Sequence, residues 1–74
     1  MTALTDTDLL MLAMERRVYA HAGGKDQAIA DELGLTATRY YQLLSQLINR
    51  PEALAADSVT VNRLRRLRAR RRAA

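Results

Sequence analysis

Seventy-four residues with a formal charge of +4 at pH 7, no cysteine, no tryptophan and no phenylalanine make one small domain whose core must come from aliphatic side chains and three tyrosines. That inventory excludes a disulfide scaffold and a thiolate metal site, and a single histidine, His21, leaves nucleophilic catalysis and metal binding poorly supplied. No apolar run approaches the roughly 20 residues that span a bilayer, and the start MTALTDTD is acidic rather than a basic signal, so a cytoplasmic protein without a membrane partner is expected.

Charge is divided unevenly along the chain. Residues 1–57 carry five basic side chains against all eight acids, whereas residues 58–74 carry seven arginines and no acid. A body of net −3 with a tail of +7 points to a polyanion contacted by one end. We therefore expect a domain at 1–57 and a basic C-terminal helix and tail at 58–74.

Thr5 reads as an N-cap, with Asp6 and Asp8 in the first turn where negative charge meets the positive end of the helix dipole. The first helix is expected over about 6–22 and stopped by Gly23-Gly24, with His21 a surface residue near its end. Leu10, Met11, Met14, Val18 and Ala22 form a broad stripe assigned to the core. Leu9, Leu12 and Ala13 fall outside it. They offer either a homodimer contact or a surface covered by the C-terminal helix folding back.

The second helix is expected over 25–33 and the third over 36–49. Ile29, Ala30 and Leu33 share one face of the former, and Tyr40, Leu43, Leu44, Leu47 and Ile48 one face of the latter. Gly34 stands where the chain must take positive φ, and Thr36 is a good N-cap two residues later. Ala30, Gly34, Tyr40 and Leu43 follow the spacing of a helix-turn-helix. Tyr40 departs from it: an aliphatic is preferred there, so the ring needs a deeper pocket or a hydroxyl reaching solvent. Pro51 ends the third helix, 51–55 makes a short turn, and Asp57 caps a last helix with Val61, Leu64 and Leu67 on one side. Beyond Leu67 only alanine and arginine remain, and fraying is expected. The fold class is all-α, a small helical bundle containing a helix-turn-helix.

The outward face of the third helix carries Thr38, Arg39, Gln42, Ser45, Gln46 and Asn49. Glutamine suits a bidentate contact with adenine, and threonine suits the thymine methyl. No acid lies between Glu32 and Glu52, as expected of a surface that approaches phosphate. Thr36 to Thr38 offers a helix N-terminus to phosphate oxygens. Tyr41, at the margin, either packs over the core edge or sets its ring against sugar and base. Arg63, Arg65, Arg66, Arg68, Arg70, Arg71 and Arg72 are suited to bidentate phosphate contacts.

ATRYYQLLSQLINRPEAL followed by VNRLRRLR resembles a family of small actinobacterial proteins of unknown function with a predicted DNA-binding helix-turn-helix. The likeness runs from about Leu4 to Arg68 and is most specific at Ala37–Gln42 and Arg63–Arg68. It implies a cytoplasmic DNA-binding protein and no substrate or catalytic residue. The function expected is a transcriptional regulator or nucleoid-associated protein on double-stranded DNA, located at the nucleoid, with no cofactor and no enzyme activity. The alternatives are a helical adaptor docking an acidic protein, or RNA binding through the arginine tail.

Overall fold

Thr5 opens the first helix with a reciprocal cap: its hydroxyl accepts from the Asp8 N–H at 3.1 Å and the Asp8 carboxylate accepts from the Thr5 N–H at 2.9 Å. In the computed structural model, which describes residues 3–73 apart from the side chains at 22, 72 and 73, five α-helices follow one another. They are α1 (Asp6–Arg16), α2 (Ala22–Ala28), α3 (Ala37–Leu47), α4 (Pro51–Ala56) and α5 (Ser58–Ala73), with a π-helical turn, Ile29–Leu33, continuing α2. The described chain is all-α, as its periodicity implies.

α1 is shorter than its apolar spacing suggests. It ends at Arg16, Arg17 is extended, and Val18 is 98% exposed. Gly23 and Gly24 do not stop α1; they form the first turn of α2, which His21 caps by accepting the Gly24 N–H at Nδ1, 2.9 Å away. The ring lies close over that turn, so a Cβ on Gly23 would meet His21 Nδ1 at 3.3 Å. Glycine thus makes room for an imidazole cap. A bidentate pair between Arg17 and Glu32, at 2.6 and 2.7 Å, ties the extended segment to the π-helical turn.

The buried side of α1 is also rotated from the expected stripe. Met11, Leu12 and Met14 are in the core, while Leu10 is exposed. The inward row is Asp8, Met11, Leu12 and Glu15, spaced i, i+3, i+4 and i+7. Its two acids meet cations, Asp8 with Arg50 at 3.2 Å and Glu15 with Lys25 at 2.8 Å. Leu12, only 2% exposed, is therefore not on the surface for a second copy. α5 packs against α1, while Leu9 of the same stripe stays 47% exposed.

Ala30 is exposed rather than turned toward α3. Ile29 fills the inner position instead, fully buried. Gly34 takes φ +67°, its N–H donating to Ala30 O at 3.0 Å, and Thr36 caps α3 by accepting the Arg39 N–H at 3.1 Å. The turn between α2 and α3 thus has the chemistry its residues imply.

Tyr40, Leu44, Leu47 and Ile48 of the α3 region join Met11, Leu12, Met14, Ile29, Ala53 and Val61 in one core. Pro51 begins α4 at its first position. Asp57 caps α5 by accepting the Thr60 N–H at 3.1 Å and pairs with Arg16 at 3.2 Å. α5 continues as helix through Ala73, so its basic end is helical where fraying was expected. Thr60 and Val61, early in α5, are buried.

Burial opposes the Asp57 charge, but the bonds from Thr60 and the Arg16 guanidinium outweigh it and hold the carboxyl below its usual 3.8. A depressed folded pKa contributes stability that is complete above the unfolded value and lost as pH falls through the folded one. Between pH 5 and pH 2 the melting temperature of Asp57→Asn should accordingly fall less steeply than that of the wild type. Parallel curves would show that this cap does not couple to acid unfolding.

Candidate nucleic-acid interface

α3 turns a polar face outward because its apolar residues recur every three or four positions and leave the rest of the helix to solvent. Thr38, Arg39, Gln42, Ser45 and Gln46 are exposed on it, and Asn49 is exposed in the turn beyond. Thr38, Tyr41, Gln42, Ser45 and Gln46 line one shallow depression. Arg39 donates to Gln42 Oε1 at 3.4 Å, one turn along the face. Thr36 is exposed, with its hydroxyl engaged in the cap. Tyr41, 43% exposed, stands at the margin with its ring edge-on to Tyr40, centroids 5.1 Å apart.

Beneath this face lies an arrangement that residue spacing alone does not announce. Of the two solutions open to Tyr40, the deep pocket is the one adopted: the residue has no exposed surface, and its hydroxyl donates to Glu15 Oε2 at 2.5 Å. The same oxygen receives Lys25 Nζ at 2.8 Å. That ammonium also lies 5.2 Å from the Tyr41 ring centroid and 5.9 Å from that of Tyr40. Burial, reinforced by the Glu15 charge, pushes the Tyr40 phenol far above its ordinary range, so it stays a donor. Burial also works against the Lys25 charge, but Glu15 prevails and raises its pKa. One carboxylate thus joins α1, α2 and α3 and fixes the rotation of α3 about its own axis.

The arginines of α5 divide into two sets. Arg63 donates to the Glu15 carbonyl, Arg65 to the Ile48 carbonyl at 2.6 Å and Arg68 to the Ser45 carbonyl at 3.4 Å. These three bind α5 to α1 and α3, with Arg65 satisfying a carbonyl at the C-terminal end of α3. Arg66, Arg70 and Arg71 are exposed. Arg72 lies outside the described side chains. Among the described residues, the ion pairs engage Arg16, Arg17, Lys25 and Arg50; no arginine of α5 has a carboxylate partner, nor has Arg39.

The two regions meet. A cleft of about 260 Å³ between α3 and α5 is bordered by Tyr41 and Ser45 on one side and Arg68 and Arg71 on the other. Tyr41 and Ser45 also border the depression on the α3 face. Thr38, Tyr41, Gln42, Ser45, Gln46, Arg68 and Arg71 consequently form one continuous surface, while Arg63 and Arg65 act as structural ligands. Glu15 and Lys25 are the residues missed from sequence. The available signal was Glu15 itself, an acid four positions after Met11 and three after Leu12 on the row those residues bury.

Among the described residues, no group of three or more His, Cys, Asp or Glu side chains could hold a metal ion, and no helix is long and apolar enough to cross a membrane. Neither a curated protein nor a solved structure matches the chain. A protein family described as of unknown function (DUF3263) matches over residues 3–74. That span takes in all five helices and the surface they build, and the chain belongs to the DUF3263 family.

Proposed function

We propose that the protein binds double-stranded DNA as a small regulator or nucleoid-associated protein, with α3 in the major groove and α5 along the phosphates. The observation that carries this reading is the distribution of charge partners. Acids of the body pair with Arg16, Arg17, Lys25 and Arg50, whereas the α5 guanidiniums have no carboxylate within ion-pair distance among the described residues. Unpaired like charges on successive turns of one helix repel each other and favour a polyanion that spaces its own charges.

The α3 face adds the means to read sequence. Gln42 is exposed midway along it between Thr38 and Gln46, and a glutamine there can take N6 and N7 of adenine together. Arg39, hydrogen-bonded to Gln42, is placed to hold that side chain while reaching a phosphate. An acidic protein partner would satisfy the arginines equally well but would make no use of this amide and hydroxyl face. RNA fits less well, because the deep, narrow major groove of A-form helices does not admit α3.

Sites selected from random duplex by the wild-type protein provide the test. Gln42→Ala should bind its preferred site about 1–3 kcal/mol more weakly and change little on unrelated duplex. An unchanged preference would remove Gln42 from the reading surface. Failure to enrich any duplex at low salt would remove the proposal itself.

A further inference from the structure

The cleft between α3 and α5 has a composition that a duplex does not require. Leu44, Ile48, Leu64 and Leu67 contribute aliphatic surface to it, and Leu67 is 41% exposed. Arg68, Arg71 and Lys25 line the same cleft. The acid lining the cleft, Glu15, already receives the Tyr40 hydroxyl and the Lys25 ammonium on one oxygen, so its charge is answered from within the fold. The two arginines leave the lining positive in excess, and Arg71 has no carboxylate partner among the described residues.

From this we infer that the cleft is a binding site for a small apolar carboxylate, its anionic head on Arg71 and Arg68 and its hydrocarbon body over Leu64 and Leu67. Size selects the class. At about 260 Å³, the cleft lies near the roughly 300 Å³ at which small-molecule pockets begin. That accommodates an aromatic or short aliphatic monocarboxylate and is too little for a folded peptide segment. A phosphodiester backbone would satisfy the arginines but would leave the leucines exposed to water, whereas an apolar acid satisfies both. A ligand seated here also covers Tyr41 and Arg71, which places it against the surface that the duplex reading uses.

The test needs no DNA, so its result is independent of that reading. The full chain, labelled with ¹⁵N and with ¹³C in its methyl groups, is titrated with sodium benzoate and with sodium hexanoate at constant ionic strength, with inorganic phosphate as the control anion. The expected result is a saturable shift at Tyr41, Leu64, Leu67 and Arg68, small or absent with phosphate. Arg71→Ala should weaken it by about tenfold, the loss of one charge-assisted hydrogen bond. Leu67→Glu, which sets a like charge on an exposed position at the mouth, should abolish it while leaving the remaining spectrum in place. No saturable shift, equal shifts with phosphate, or shifts spread alike over Arg66 and Arg70 would overturn the assignment.

Discussion

Tyr40→Ala should destabilise the protein by about 3–5 kcal/mol, the range for truncating a fully buried ring. A domain of this size has roughly 0.05–0.15 kcal/mol of stability per residue, so the loss removes a large part of the total and leaves much of the population unfolded near 37 °C. The reason is position as well as volume. The ring fills the centre of the core, and its hydroxyl shares Glu15 Oε2 with Lys25. Tyr40→Phe separates the two contributions: the ring remains, a buried carboxylate loses one donor, and the cost should be about 1.5–3 kcal/mol. Urea denaturation followed by circular dichroism reads both. Midpoints for the two variants equal to that of the wild type would place Tyr40 outside the core.

The same residue shows what the sequence made legible and what it hid. A tyrosine at a position that a helix-turn-helix gives to an aliphatic signals that something must receive the hydroxyl, and the inner face of α3 follows directly from Tyr40, Leu44, Leu47 and Ile48. Gly34, Thr36, Pro51 and Asp57 each mark a boundary through a local backbone demand, and each does so in the structure. Local chemistry of this kind does not depend on what packs nearby.

Other features depend on partners far along the chain, and apolar spacing misleads there. The inward row of α1 is bounded by Asp8 and Glu15, which become acceptable inside only because Arg50 and Lys25 arrive from elsewhere. Hydropathy rejects such a row and chooses Leu10 and Val18 in its place. The two glycines after His21 look like a helix stop until the imidazole is seen capping the turn they form. Ala30 is exposed and Ile29 takes the inner position, in a π-helical turn that has no composition of its own. The arginine run was readable as charge, but its division into Arg63, Arg65 and Arg68 on backbone carbonyls and Arg66, Arg70 and Arg71 in solvent required the path of α5.

That division gives the second large effect. Replacing Arg66, Arg70 and Arg71 together with alanine should leave the melting temperature near that of the wild type, because none of the three holds a carbonyl or a carboxylate among the described residues. Duplex affinity should fall for preferred and unrelated sequences alike, since phosphate contacts position the protein without reading bases. Replacing Arg63 and Arg65 should do the reverse: stability falls as two carbonyl contacts that hold α5 to α1 and α3 are lost, and the salt slope changes little. The most direct measurement is therefore the affinity of the wild type and of the Arg66, Arg70 and Arg71 variant for one mixed-sequence duplex, followed by fluorescence anisotropy from 25 to 200 mM salt. The wild type should bind at the low end and weaken steeply, and the variant's slope of log K against log salt should be smaller by about 2.7, or 0.9 for each phosphate given up. A wild-type protein that leaves the duplex free at 25 mM salt, or a variant that keeps the full slope, would contradict the account.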